Sequence, residues 1–371
     1  MLDFTSALYL GLAHSSASLR PWTELTAGVP AALAEPACAD IVAARTARLI
    51  GCERAVFAPS TLHLFWDLFG TEAFRGRPVF LDDGTYPIAR WGADRAAMRG
   101  ASVARFRHYD AEALHDRLSA VGWGLPVVIC DGVCPSCGRA APVRNYSEVV
   151  ARFNGTLLVD DTQGLGILGD CFLSGSSWGS GGGGVLRWSG IVGDNVLVIN
   201  SLAKGFGVPI AVLAGSTRAV RRFMNESETR VHCSPPSVAA IHAAEHALDV
   251  NERMGDALRL RLYQLVLRFR RIVSAKQLEA GRGLFPVQSV SFGGDATTSR
   301  VHELLLKSGI RTVLHHDRHD GLPRLSFLIT ARHTPGDIDA AADAVGQAAN
   351  RGGRKGTNTV FFSDLDFRIS Q

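Results

Sequence analysis

The chain has 371 residues, 46% of them apolar and 20% charged, and a formal net charge of +4. That length exceeds what one hydrophobic core accommodates, and the balance excludes general disorder, so a large domain with a smaller companion is expected. The basic residues are spread over both halves without a long run, which argues against nucleic-acid binding, and no apolar stretch approaches a membrane span.

The opening stretch, MLDFTSALYLGLAHSS, carries an acid where a secretory leader needs positive charge, so a soluble cytoplasmic protein is expected. Residues 1–40 read as an N-terminal segment. Seven cysteines, odd in number and irregular in spacing, point to free thiols in a reducing compartment. Cys130, Cys134 and Cys137 lie close together, but a structural zinc site takes four ligands and no paired fourth is evident, so no metal is expected.

From about residue 41 to 250 short apolar runs alternate with helical periodicity. The runs are Pro78 to Leu81, Pro126 to Ile129, Thr156 to Val159, Asn195 to Ile199 and Ile210 to Leu213. Continuous apolar runs of this length mark strands buried on both faces. Helical stretches such as Ala111 to Val121 and Tyr146 to Phe153 separate several of them, which is the rhythm of a parallel α/β sheet. The stretch SGSSWGSGGGG, Ser174 to Gly184, reads as a flexible loop, because it lacks the spacing of a phosphate-binding glycine motif.

A long helix is expected from Ser237 to about Arg270, suited to joining two domains. Residues 251–350 then read as a small α+β domain. Its strands are expected near Val287 to Phe292 and Arg324 to Ile329, and its helices over Thr298 to Lys307 and Pro335 to Ala349. Residues 351–371 read as a linker, RGGRKGT, and a short apolar tail, Val360 to Ile369.

The chemistry concentrates at two strand ends about 40 residues apart: Val159-Asp160-Asp161-Thr162-Gln163-Gly164 and Asn200-Ser201-Leu202-Ala203-Lys204-Gly205-Phe206-Gly207. Ligands of a parallel sheet sit at such ends. A carboxylate there, Asp160, can hold a protonated pyridine nitrogen and keep a ring electron-accepting. Lys204, in a partly desolvated site, is a nucleophilic amine able to form an imine with an aldehyde, and Ser201 can add a hydroxyl to a phosphate on the same ligand. An isolated lysine is ordinarily a solvated surface charge, and its coincidence with Asp160 is what reverses that reading.

In order along the chain, several segments resemble the α-oxoamine synthase family of pyridoxal 5′-phosphate (PLP) enzymes. They are Tyr9-Leu-Gly-Leu12, Asp131-Gly-Val133 with Gly138 and Ala141-Pro142, Val159-Asp-Asp161 with Gly164 to Gly169, Ser201 to Gly207, Ser234-Pro-Pro236, and Arg324-Leu325 with Thr330 to His333. The resemblance implies a fold-type I PLP-dependent transferase, with a large domain of mostly parallel sheet between helices and a smaller α+β C-terminal domain. It implies that Lys204 holds the cofactor as a Schiff base and that Asp160 pairs with the pyridine nitrogen. Ser201 and the helix start at Ser60, Thr61 and Leu62 would bind the phosphate, and Ser234 that of the neighbouring subunit in a homodimer with shared active sites. Arg324 would hold the substrate carboxylate.

The chain departs from the family at Tyr86, where the family has a ring-stacking histidine, and at Gln163, where it has another. Tyr86 can still stack and Gln163 can still hydrogen-bond the phenolic oxygen. The family's serine after the valine corresponds to Pro135 or Ser136, and its early glycine-rich segment is replaced by Thr26 to Pro30. The expected reaction is condensation of an amino-acid carbanion with an acyl thioester carried by CoA or by a carrier protein. Its rival is transamination, because an aromatic stacker other than histidine is common among transaminases; other PLP chemistry, or a non-catalytic relative of the fold, completes the alternatives.

Overall fold

The computed structural model describes residues 1–352 except 123, 172–176, 192, 279, 282 and 318–320. In chain order its elements begin with β1 (Leu2–Asp3), α1 (Ala39–Ile50), β2 (Arg54–Ala58), α2 (Thr61–Gly70), β3 (Val79–Asp82), α3 (Pro87–Met98), β4 (Val103–Phe106) and α4 (Ala111–Val121). Next come β5 (Val127–Asp131), α5 (Val143–Arg152), β6 (Thr156–Asp160), α6 (Val185–Ser189), β7 (Val196–Ser201), β8 (Ala211–Gly215), α7 (Thr217–Glu226) and α8 (Glu228–His232). The long α9 (Val238–Ala275) precedes β9 (Val287–Val290), α10 (Asp295–Lys307), β10 (Ile310–Arg311), β11 (Val313–His316), β12 (Pro323–Leu328) and α11 (Pro335–Gly352). The expected linker and tail lie outside the described residues.

The chain divides into two compact units, and α9 contributes to both. One comprises Leu8–Cys134 and Ala140–Leu260, the other Met1–Ala7, Pro135–Arg139 and the chain from Arg261 onward. The larger unit is built on a seven-stranded sheet of order β2-β8-β7-β6-β5-β3-β4. Strands β4, β3, β5, β6 and β7 run parallel, and the interior residues of β3, β5, β6 and β7 are buried. Strand β8 is antiparallel to both β7 and β2, which corrects the expectation that the run at Ile210 continues the parallel rhythm. Only Leu202 to Ile210 separates β7 from β8, too little chain for the helical crossover that a parallel return needs.

Helices cover this sheet because their apolar stripes have nowhere else to go. Leu64, Phe65, Leu68 and Phe69 of α2 and Ala89 and Ala93 of α3 pack against Val79, Leu81, Ile129, Leu158 and Ile199 of the strands. Each such leucine or phenylalanine contributes roughly 1.5–3 kcal/mol by leaving water. Gly92 sets the approach of α3 to α2, since a Cβ there would meet Phe69 at 3.0 Å and Phe65 at 3.1 Å. Helix α4 starts where the Asp110 carboxylate accepts from the backbone N–H groups of Glu112 and Ala113, at 3.0 and 2.9 Å.

The glycine-rich stretch, where it is described, is a laced structure rather than the flexible loop its composition suggests. Ser180 bridges Asp170, Gly184 donates to the Leu168 carbonyl at 2.8 Å, and Gly181 is held by Asp256 and Asn251. Gly179, Gly182 and Gly184 adopt positive φ, and a Cβ at Gly179 would fall 2.2 Å from the Gly169 carbonyl oxygen. The glycines are there for close backbone approach. Residues 174–176 of that stretch lie outside the described residues.

The smaller unit holds a three-stranded antiparallel sheet of order β11-β12-β9 and the short parallel pair of β1 with β10. Helices α10 and α11 pack on one another, burying Val301 and Leu305 of the first and Ala341, Ala342 and Val345 of the second. Phe4 stacks on the His333 ring at 4.3 Å and meets Phe327 edge-on.

Candidate active site

The carboxyl ends of adjacent strands in the larger unit bring the polar residues together. Asp82 ends β3, Asp131 ends β5, Asp160 ends β6 and Ser201 ends β7. Asp131 and Asp160 are register partners, and both are buried. Asp160 turns the chain by accepting from the Thr162 N–H at 3.1 Å, and Thr162 Oγ1 in turn accepts from the Ser201 N–H at 3.0 Å. The two strand ends singled out in the sequence are thus stitched to each other. Lys204 follows in the turn beyond Ser201, whose hydroxyl accepts from the Ala203 N–H at 3.3 Å.

Tyr86 stands at the N-terminus of α3, where its half-exposed ring lies 5.9 Å from Lys204 Nζ. Its backbone N–H donates to Asp131 Oδ1 at 3.0 Å, so the strand-end carboxylate fixes the residue that carries the ring. Tyr9, fully buried, donates its hydroxyl to Gln163 Oε1 at 2.7 Å. Burial raises the Tyr9 pKa above its ordinary value, so the phenol stays protonated as that donor requires. Gln163 therefore spends its carbonyl oxygen inside the protein and keeps its amide N–H groups as donors.

Helix α2 begins at Thr61, with Ser60 as its extended N-cap and Leu62 in the first turn. The Ser60 hydroxyl pairs with His63 Nδ1 at 2.8 Å and does not cap the backbone, which leaves the first N–H groups to another acceptor. Ser234 is exposed between α8 and α9. Arg324 belongs to the smaller unit, on β12, opposite His315 and with its Nε 3.8 Å from Asp317 Oδ2.

Three features of this site carry no local mark in the sequence. Asp82 accepts from the N–H groups of Gly84 and Tyr109, from the Tyr146 hydroxyl and from His108 Nδ1, the last at 2.5 Å. Burial alone would lower the His108 pKa, but the hydrogen bonds and charges of Asp82 and Cys134 outweigh it and push it up to about 9. The pair anchors the turn that leads to Tyr86. Asp161 is wholly enclosed, and burial pushes its carboxyl well above the ordinary range against the Val185 N–H, which donates at 2.7 Å. Gly132, Gly164 and Gly184 close over that carboxyl, where added Cβ atoms would come within 2.5, 2.2 and 2.1 Å of it. His14, in the N-terminal segment, contacts the backbone of the Lys204 turn. Of these only the glycine after Gln163 could have been found in the sequence, as part of the strand-end motif.

The sequence profile of aminotransferase class I and II matches residues 43–345, and the chain belongs to that family. It is 28% identical over 361 residues to the 8-amino-7-oxononanoate synthase of Aromatoleum aromaticum, covering 93% of this chain and 88% of that one. It is 30% identical over 252 residues to the enzyme of the same name from Hahella chejuensis, covering 66% and 60%. Among solved structures it superposes on the serine palmitoyltransferase of Sphingomonas wittichii with a TM-score of 0.84 at 17% identity, covering 95% and 88%. On the 8-amino-7-oxononanoate synthase of Francisella tularensis the TM-score is 0.74 at 20% identity, covering 95% and 98%. The fold is that of fold-type I PLP-dependent transferases.

Proposed function

We propose that this chain is a PLP-dependent α-oxoamine synthase, which joins an amino acid to an acyl thioester. The observation that carries the reading is the approach of Lys204 Nζ to the Tyr86 ring, 5.9 Å from its centroid, where the end of β7 is stitched to the Asp160 strand end. A pyridine aldehyde bearing a phosphate asks for an amine, an aromatic face, a carboxylate and an anion-binding helix start. Lys204, Tyr86, Asp160 and the uncapped start of α2 answer each in turn. The match to relatives named 8-amino-7-oxononanoate synthase over most of the chain supports the same chemistry.

When bound, PLP supplies an electron sink for a carbanion at the substrate Cα. Asp160 keeps the pyridine nitrogen protonated, and its burial strengthens that pairing. Lys204 would hold the cofactor covalently, and its amine would be the group placed to take a proton from the substrate Cα. Gln163, aimed by Tyr9, donates to the phenolic oxygen. Ser201 and the N–H groups at Ser60, Thr61 and Leu62 neutralise the phosphate, and Arg324 pairs with the substrate carboxylate. The reading includes a homodimer in which Ser234 serves the neighbouring phosphate, and a cytoplasmic setting. Among the described residues no helix is long and apolar enough to cross a membrane.

Tyr86 in place of an imidazole favours a second reading, transamination, since a phenol is a weak base near neutral pH. One assay separates the two. The purified chain, loaded with PLP and given an amino acid and an acyl-CoA, releases free thiol if it condenses; it yields a keto acid without thiol if it transaminates. Borohydride reduction followed by peptide mapping must place the pyridoxyl group on Lys204, and a label on another lysine overturns the site assignment.

A further inference from the structure

Lys204 is followed by two glycines that flank Phe206, and glycine fixes nothing by itself. Gly205 is pressed against Leu165 and Gly166, where a Cβ would meet the Leu165 carbonyl oxygen at 2.5 Å, and Gly207 sits at φ +68°. Between them the Phe206 carbonyl is taken by His14 Nε2 at 2.7 Å. The other nitrogen of that ring, His14 Nδ1, lies 3.0 Å from His246 Nδ1 on α9, the two rings nearly perpendicular at 88°.

This contact determines where the protons are. A carbonyl only accepts, so His14 carries its hydrogen on Nε2 and presents a lone pair at Nδ1. Two Nδ1 atoms at hydrogen-bond distance need one donor, so His246 carries its hydrogen on Nδ1. We propose that His14 and His246 are positioning residues, a pair of imidazoles that clamps the Phe206 carbonyl and so fixes the Lys204 turn for the cofactor. The proposal rests on the assignment of Lys204 given above. A proton added to His14 would leave the Nε2–H on the Phe206 carbonyl but remove the lone pair at Nδ1, so the contact with His246 Nδ1 would persist only with the direction of that hydrogen bond reversed. Burial, with the nearby His246 opposing the Phe206 hydrogen bond, already holds the His14 pKa below its ordinary value.

The other charged or titratable groups on the segments that meet here are few. His242 and Glu245 lie on the same helix as His246, Arg20 on the N-terminal segment pairs with Glu245 at 2.9 Å, and Lys204 stands two residues before Phe206. One turn beyond His246, Asp249 is engaged by Arg45 at 2.8 Å.

The test uses the full chain, PLP as probe, and two readouts besides turnover. Nitrogen-15 NMR of the cofactor-free protein should show His14 as the Nε2–H tautomer, titrating below pH 6.5. By absorbance titration at pH 7, His14→Phe should weaken PLP binding about tenfold, whereas His14→Gln, which keeps a donor in place of Nε2, should stay within about threefold of wild type. An Nδ1–H tautomer at His14, or wild-type PLP affinity in a folded His14→Phe, overturns the proposal. Should His14→Phe not fold, His246→Leu against His246→Asn decides in the same way, with weak binding expected only for leucine. A borohydride label away from Lys204 would sink the site assignment while leaving the tautomer result standing, so the two failures are distinguishable.

Discussion

The Asp82–His108 pair offers the most direct test of the electrostatics around the site. His108→Asn keeps an amide donor near Asp82 but removes the charge. A pKa of about 9 in the folded protein, against about 6.5 in the unfolded chain, means the native state binds that proton more tightly. Stability from the pair is therefore complete below pH 6.5, declines between 6.5 and 9, and is gone above. The shift converts to about 3 kcal/mol at 1.36 kcal/mol per unit, and little of it is screened because the two side chains are 9% and 1% exposed. Urea unfolding of wild type and His108→Asn at pH 6, 7.5, 9 and 10 measures it. Thiols and phenols away from His108 are common to both proteins and cancel in the difference, whereas Cys134, which shares in raising the His108 pKa, is part of the measured effect. The reasoning fails if that difference is the same at pH 6 and pH 10, or if the gap grows as the pH rises.

Three further outcomes are expected. Asp160→Asn should retain PLP, seen by its absorbance, yet lose about a hundredfold or more in turnover, because an amide cannot keep the ring nitrogen protonated; wild-type turnover would remove Asp160 from its role. Tyr86→Phe should bind PLP and turn over nearly as wild type, while Tyr86→Ala should lose about 1 kcal/mol of cofactor affinity with the aromatic face; a thousandfold drop in rate for Tyr86→Phe would show that the hydroxyl takes part in chemistry. Asn200 is fully buried in β7 and neither polar atom of its side-chain amide has a hydrogen-bond partner among the described residues, so Asn200→Val should raise stability to urea by about 1 kcal/mol, and a loss instead would mean the amide is satisfied.

What could be read in the sequence divides along physical lines. Strands β3, β5, β6 and β7 announce themselves because they lie inside the sheet, and burial on both faces writes a continuous apolar run. Strands β4 and β11 carry no such run for the converse reason, while β2 is not marked in the sequence although Ala55 to Ala58 are buried. Each is an edge strand, and β4 and β11 expose alternate residues, as in Val103-Ala-Arg-Phe106 and Val313-Leu-His-His316. The reversal of β8 depends on the length of a connection, which hydrophobic period does not record. In the site, Asp160, Ser201 and Lys204 are legible because they follow their strands directly in the chain. Tyr9, His14 and His108 reach their partners only in three dimensions, and their own neighbourhoods in sequence look ordinary: His108 to Asp82 spans 26 residues, Tyr9 to Gln163 spans 154 and His14 to Phe206 spans 192.

The edge position of β2 has a consequence for how the chain is made. Its hydrogen-bonding partner is β8, synthesised about 150 residues later, so that one border of the sheet stays open until the chain has passed Gly215. During that interval Arg54-Ala-Val-Phe-Ala58 and the apolar α2 behind it are present without the strand that covers them. Chains that stop before β8 present a β2 unpaired on both sides and are the forms most prone to pair with one another. The short antiparallel return after Lys204 thus pairs the β2 border as well as bounding the candidate site, and the seven-stranded sheet is completed by the segment that follows Lys204.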